Sequence, residues 1–458
     1  MLTYQLKKQP GLPLYEALYR CIRSDILSGR LKAGEKLPSK RALAENLEVS
    51  KITVEAAYSQ LLSEGYISAR EKVGYFVEQV AAETATAAPI QPVPEVQKAP
   101  VLDLTANGSA GFPFSVWSRL QRQVLLDYQQ KLLLPLHNQG CAELRCAIAA
   151  HLAGFRDMRV DPENIIIGAG TDFLYNLLIQ LLGRDKVYAV EDPGYDKIRR
   201  IYAAGGVRCV SASMDREGVI PQALSQAQVL HISPSHHFPT GLVTSLRRRR
   251  ELLNWADSAD GFIIEDDYDS EFRFHAHPMP ALQTMDRQGR VIYMNTFSKS
   301  LAPSIRISYM ILPSALMEEF RAKLGFYSCT VASFEQHTLA RFLSEGYFEK
   351  HINRMRKFYR NRRNRIISLL ENSPFASRIS ILEQDAGLHF LVKADTGLSG
   401  EALVNLCAKA GIRISSLDAY YTGSVPEWAE HCLVVNYSGV DEHALPQALQ
   451  RLAALPAD

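Results

Sequence analysis

Residues 79 to 100 read QVAAETATAAPIQPVPEVQKAP, a run of Ala, Pro, Thr and Gln with almost no large apolar side chains. Such a segment has nothing to bury that would offset the entropy of ordering it, so it is a linker and the chain folds as separate bodies on either side. The total of 458 residues agrees, being past the length at which one core stops growing. As a stretch of about 22 residues the linker spans roughly 26 Å as a coil and at most about 68 Å when extended, which lets the amino-terminal body sit on a partner subunit.

Before the linker, Leu14, Leu18, Ile22 and Ile26 form a helical stripe ended by Gly29. Pro38 and Ser39 open a second helix that runs to about Leu47, and Ser50 opens a third in which Val54, Ala57, Tyr58 and Leu61 face inward. Gly65 stops it, and YISAREKVGYFV then alternates as a small hairpin with Gly74 near its turn. This succession is the order of a winged helix-turn-helix, which offers the first turn of its second motif helix to base edges and phosphates. Here that turn carries Ser50, Lys51 and Thr53, while Arg41 on the preceding helix and the Gly74 wing are placed to touch backbone or minor groove. A helical dimerisation domain with merely solvated charges is the bland alternative, and the ordered turn, helix and wing weigh against it. Charge decides little: residues 1 to 78 hold 12 Lys/Arg against 9 Asp/Glu, the remainder 39 against 40, and the net +2 excludes a polybasic protein.

After the linker, apolar strand-like runs alternate with helical patterns: NIIIGAG (164 to 170), KVYAVEDPGY (186 to 195), VLHIS (229 to 233), GFIIEDDY (261 to 268) and RVIYMNTFSK (290 to 299). Nearly continuous apolar strands separated by helices indicate an α/β domain with a mostly parallel sheet, whose ligand site lies at the carboxyl ends of the strands. Each run ends in polar or Gly-containing residues. Lys299 closes one, with hydroxyls at Thr296 and Ser298 and a guanidinium at Arg306; Asp266 ends another, with Tyr268 two residues on; Tyr195 follows the EDPG turn; and Gly170, Thr171 and Asp172 begin a helix with free amides. Those are the parts that pyridoxal phosphate requires: a Schiff-base lysine, a carboxylate for the ring nitrogen, a stacking ring and a phosphate cup. Each part alone is a weak signal, since a loop Lys is usually a solvated charge and an acid after a strand is usually a cap. Their joint placement at the ends of separate strands is not explained that way.

The segment LPSKRALAENLEVSKITVEAAYSQLLSEGYI is similar to the amino-terminal signature of the GntR family of regulators, a resemblance covering roughly residues 12 to 78. It implies that Arg41, Ser50, Lys51, Thr53 and Gly74 fall on DNA-contacting positions. Lys51, where the family often has Arg, keeps the charge but loses the bidentate fork, so backbone contact is its implied role. Residues 101 to 458 resemble fold-type I pyridoxal-phosphate enzymes of the aminotransferase class, and the whole chain resembles the MocR-type subfamily of GntR regulators. That resemblance implies Lys299 as the cofactor-linking lysine, Asp266 against the pyridinium nitrogen, Tyr268 on the phenolic oxygen, Tyr195 stacked on the ring and Arg306 on the phosphate. It also implies a homodimer in which the DNA-binding domain of one subunit rests on the aminotransferase-like domain of the other.

Departures from the enzyme pattern bear on activity. Where aminotransferases carry a substrate-clamping arginine in a segment similar to LRLNFS, this chain reads LVVNYS with Val434 in that place. The asparagine that normally precedes PTG is replaced by Phe238 in SPSHHFPTG, behind His236 and His237, and Lys197 follows the PGY turn. The expectation is therefore a DNA-binding transcription regulator that senses pyridoxal phosphate, or an amine or amino acid reacting with it, with little or no physiological transamination. The alternative is a working aminotransferase with an accessory DNA-binding domain. Seven scattered cysteines without CxxC or metal-ligand spacing, no run of membrane-spanning length and no signal-peptide pattern complete the expectation of a soluble cytoplasmic protein without a metal.

Overall fold

The computed structural model describes residues 2–4, 6, 13–71, 73–79, 102–106, 108, 111–274, 279–385 and 387–455. Apart from Gln79, the expected linker at 79 to 100 lies outside the described residues. The chain divides into two units, Met1–Gln97 and Lys98–Asp458. No helix among the described residues is long and apolar enough to cross a membrane.

In the first unit, three helices α1 (Leu14–Leu27), α2 (Lys40–Asn46) and α3 (Lys51–Ser63) precede a hairpin of β1 (Ile67–Arg70) and β2 (Gly74–Val77), paired Ile67 with Val77 and Arg70 with Gly74. The helix boundaries follow from capping: Ser39 accepts the Ala42 N–H and Ser50 accepts the Thr53 N–H, both at 3.1 Å. The inward residues expected of α3, Val54, Ala57, Tyr58 and Leu61, are all fully buried against Leu18, Ile22 and Leu43. Gly65, at φ +78°, turns the chain from α3 into the hairpin in a conformation that a Cβ disfavours.

The second unit opens with β3 (Leu102–Asp103), α4 (Phe114–Tyr128) and α5 (Ala142–Arg156), then builds its main sheet from β4 (Ile165–Gly168), β5 (Val187–Asp192), β6 (Arg208–Asp215), β7 (Gly218–Val219), β8 (Val229–Ile232), β9 (Phe262–Asp266), β10 (Val291–Thr296) and β11 (Ser308–Ile311). The strand order is β4-β11-β10-β9-β8-β5-β6-β7. The pairs β10·β9, β9·β8, β8·β5 and β5·β6 are parallel, while β11 runs against both β10 and β4, and β7 against β6. Strands β4, β8 and β10 are buried along their whole length, which is why they read as unbroken apolar runs rather than as alternation. Helices α6 (Thr171–Leu182) and α7 (Asp196–Ala204) leave the carboxyl ends of β4 and β5.

A second, antiparallel sheet orders β12 (Ile379–Leu382), β13 (His389–Ala394), β16 (Cys432–Asn436) and β15 (Ser415–Ser416), and β14 (Ile412–Arg413) pairs in parallel with β3. Helices Gly400–Lys409 and Leu445–Ala453 bury Leu403, Cys407, Ala448 and Leu449 in the same apolar cluster as Phe390, Val392, Leu433 and Val435 of this sheet. Neither this sheet nor β11 was expected from the sequence.

Candidate functional site

A cavity of about 350 Å³ opens where β4, β5, β9 and β10 end, and Lys299, Asp266, Tyr268, Tyr195, Thr171, Asp172, Thr296, Ser298 and Arg306 all line it. The volume is within the range of small-molecule sites. Lys299 sits on the single turn Phe297–Ser300 that follows β10; Thr296 caps that turn by accepting the Ser298 N–H at 3.1 Å, and the Ser308 hydroxyl donates to Thr296 at 2.8 Å. Burial drives the Lys299 ammonium below its ordinary pKa, and the negative charge of Asp269 only partly restores it.

Asp266 ends β9 and is buried. Its Oδ2 accepts a hydrogen bond from the Tyr175 hydroxyl, and His231 Nε2 lies 3.6 Å from the same oxygen. The other nitrogen of His231 is 2.7 Å from the Tyr202 hydroxyl, which holds the ring beside the carboxylate, while the Tyr175 hydroxyl fixes Oδ2 itself. Among the described residues, Oδ1 of Asp266 is buried without a hydrogen-bond partner. Leaving such an oxygen unmet is costly, and it suits a cationic N–H brought by a ligand.

Gly170 precedes α6 at φ +92°, and a Cβ there would fall on the guanidinium of Arg306, so glycine is what allows that arginine to lie against the helix start. Arg306 itself takes φ +50°. Its Nη2 is 3.6 Å and the Lys197 ammonium 2.6 Å from Oδ2 of Asp172. Two cations and the free amides of the first helical turn thus converge on one spot, an arrangement made for an anion. The Asp172 carboxylate shares that spot, whereas only its amide was expected there.

Tyr268 is partly buried in the cavity wall, its hydroxyl 3.4 Å from His236 Nδ1, which in turn is 2.8 Å from Asp269 Oδ2. Tyr195 precedes α7 and is 51% exposed at the cavity mouth, where its ring meets Phe238 edge-on at 5.8 Å. Val434, on β16, is buried in the cavity wall. At the end of β5, burial pushes the Glu191 carboxyl up to about 8 although its Oε2 accepts the Ser233 N–H at 3.0 Å. Beside it, 3.5 Å away, burial pushes the His237 imidazole down to about 3.

Several of these residues escaped the sequence reading. Tyr175 lies one turn into the helix that starts at Thr171, so helical spacing from the GAGT turn was an available signal. His231 lies inside a strand that reads as apolar, and His389 lies on the unexpected β13; neither had a signal. No metal-ligand spacing is visible in the sequence, yet the fold brings ligand atoms of Cys141, Glu143 and His337 within 4.8 Å of one another, away from the residues that line the cavity.

The first unit presents a second candidate surface. Lys51 and Ser50 are exposed at the start of α3, with Thr53 partly covered. The Ser50 hydroxyl is occupied as the helix cap and lies 2.8 Å from that of Thr53, which gives both residues a structural task. Arg41 is exposed and pairs with Glu45 at 3.0 Å. Gly74 opens β2 at φ +133°, where a Cβ would press on Lys36 Cε at 3.1 Å. Ile52, 77% exposed beside Lys51, was passed over in the sequence; an apolar side chain on this turn suits contact with a thymine methyl.

Comparison with known proteins matches residues 99–452 to aminotransferase class I and II and residues 14–77 to the bacterial regulatory proteins of the gntR family. The HTH-type transcriptional regulator YdeL of Bacillus subtilis is 37% identical over 99% of both chains. The HTH-type pyridoxine biosynthesis transcriptional regulator PdxR of Corynebacterium glutamicum is 30% identical over 94% of this chain and 93% of its own. Among solved structures, the kynurenine aminotransferase of Pyrococcus horikoshii superposes with a TM-score of 0.67 at 25% identity, over 78% of this chain and 90% of that one.

Proposed function

The chain belongs to the HTH-type transcriptional regulators of MocR type, which join a gntR-family module to an aminotransferase class I and II domain, and from that premise we propose a homodimeric, DNA-binding regulator that uses pyridoxal phosphate to sense the cofactor itself or an amine or amino acid. We take residues 12 to 78 as the DNA-binding domain, 79 to 100 as the linker and 101 to 458 as the cofactor domain. The observation that carries the reading is one cavity holding a half-buried lysine of lowered pKa, a buried aspartate with an unmet oxygen, and an arginine laid against a helix start.

Pyridoxal phosphate, when bound, supplies an aldehyde and an electron-withdrawing ring. Lys299, neutral at a lower pH than an exposed lysine, offers a nucleophilic amine. Asp266 would hold a proton on the ring nitrogen through Oδ1, with the Tyr175 hydrogen bond to Oδ2 fixing its orientation and His231 packed alongside. Arg306 and the amides of Thr171 and Asp172 at the start of α6 would bind the phosphate, assisted by the hydroxyls of Thr171, Thr296 and Ser298; the Gly170 N–H, expected there too, is taken by the Gly168 carbonyl at 2.8 Å, which leaves Gly170 the task of making room for Arg306. Tyr268 would donate to the phenolic oxygen, and Tyr195, at the cavity mouth, would stack on the ring. On the first unit, Lys51 and Arg41 contact phosphates while Ser50, Thr53 and the Gly74 wing set the register on the duplex.

The same cofactor residues would serve a working aminotransferase, but Val434 provides no fork for a substrate carboxylate. The test is absorbance of the purified protein during titration with pyridoxal phosphate, followed by borohydride reduction and peptide mapping. A reduced adduct on Lys299 is expected; an adduct elsewhere, or none at saturation, refutes the assignment.

A further inference from the structure

We propose that the small molecule admitted beside the cofactor is a primary amine with a neutral aromatic or apolar tail and no carboxylate, an inference that rests on the cofactor reading above and deepens it. Charge in the cavity is segregated. Among the described residues lining it, the only Lys and Arg side chains are Lys197, Lys299 and Arg306, and two of these converge on Asp172 at the start of α6. Another stretch of wall comes from the four-stranded sheet and the loop around Phe238. There Phe238 stands edge-on to three rings: Tyr195 at 5.8 Å, His389 at 5.1 Å and Tyr420 at 5.3 Å.

Val434 belongs to the same stretch, paired across the sheet with Leu391 and Ser415 and packed in an apolar cluster with Leu391 and Leu417. His389 adds no positive charge at neutral pH, because burial and the neighbouring His236 hold its imidazole well below the ordinary value. Lys299, whose charge acts on His389, would be committed to the cofactor in loaded protein, so a carboxylate placed here loses its water and meets no free guanidinium or ammonium among the described lining residues. An aryl or alkyl tail, by contrast, gains apolar burial and edge-on ring contacts. An ammonium is compatible with the cavity, since Asp266 and Asp269 also line it.

The test uses holoprotein whose loading is verified by absorbance and by reduction onto Lys299. It is titrated with 2-phenylethylamine and with L-phenylalanine, which differ only in the carboxylate, and both the cofactor spectrum and operator affinity are read. The amine is expected to half-saturate at a concentration at least about 10-fold lower. Val434→Arg, which returns a cation to that wall, is expected to narrow or reverse the ratio, while Val434→Leu keeps it. Loaded protein that responds equally or better to phenylalanine, or to neither compound, overturns the inference and leaves the cofactor reading standing. An unchanged ratio in folded Val434→Arg also overturns it. Protein that never loads overturns the cofactor reading and the inference together.

Discussion

Lys51 and Lys299 are the same side chain in opposite surroundings. Lys51 is exposed on the first turn of α3, where its charge is fully solvated and acts on an anion only through screened attraction. Lys299 is half-buried in the cavity at the end of β10, where desolvation disfavours its charge and favours the neutral, nucleophilic amine. Environment assigns the chemistry: on the function proposed above, the exposed lysine serves affinity and salt response, the half-buried one covalent capture. Each unit therefore has its own observable, and each can be broken without the other.

The largest expected effect comes from Lys299→Ala, which removes the only amine proposed to capture the cofactor. Borohydride trapping at saturating pyridoxal phosphate should fall from stoichiometric to none, and DNA binding by the first unit should survive. Next is Asp266→Asn, which keeps the shape and the hydrogen bond from Tyr175 but removes the charge. Loss of a charge-assisted hydrogen bond of about 1.5 to 3 kcal/mol weakens cofactor affinity roughly 10- to 150-fold, measured by absorbance titration.

A pH effect sets the buried region apart from the exposed one. The folded-state value of His237 is about 3, below its unfolded value, so its contribution is present above about pH 6.5 and is lost as pH falls toward 3. The His237 contribution alone falls by about 1.4 kcal/mol per pH unit across that window, so His237→Gln should flatten the acid limb of cofactor-free protein relative to the parent in urea unfolding curves. Glu191 works in the other direction: its raised value of about 8 gives stability that is lost as pH rises through 8, so Glu191→Gln should gain stability at alkaline pH relative to the parent.

The smallest effect is at the exposed lysine. Lys51→Ala should weaken binding similarly across DNA sequences and lower the salt slope by about one unit, read from operator titrations at several ionic strengths. An unchanged slope would detach Lys51 from the phosphates and sharpen the role of Ile52.

How far the two regions were legible in the sequence follows the same division. The first unit was readable almost residue by residue, because short helices with Ser caps and an α3 stripe of Val54, Ala57, Tyr58 and Leu61 obey local rules. In the second unit the buried strands announced themselves, and with them the cavity residues at their carboxyl ends. What stayed hidden was whatever depends on distant pairing. Strand β11 is short and joins β4 to β10 across about 140 residues of chain, and β13 and β16 meet only through tertiary contact. The partners of Asp266 were invisible for the same reason: His231 comes from a neighbouring strand and Tyr175 from a helix, and no spacing links them to β9. Ser50 shows the reverse case, a residue expected at the DNA whose side chain the fold already uses as a cap.

The central claim is that occupancy of the buried site changes what the exposed site does. Its most direct measurement is operator affinity of the protein with and without pyridoxal phosphate, in the parent and in Lys299→Ala, alongside single-turnover conversion to pyridoxamine phosphate with a panel of amino acids. Coupling of about 1 to 3 kcal/mol predicts a roughly 5- to 150-fold change in affinity that disappears in Lys299→Ala, with slow or absent conversion. Fast conversion together with DNA affinity indifferent to the cofactor would contradict the account and favour the enzyme.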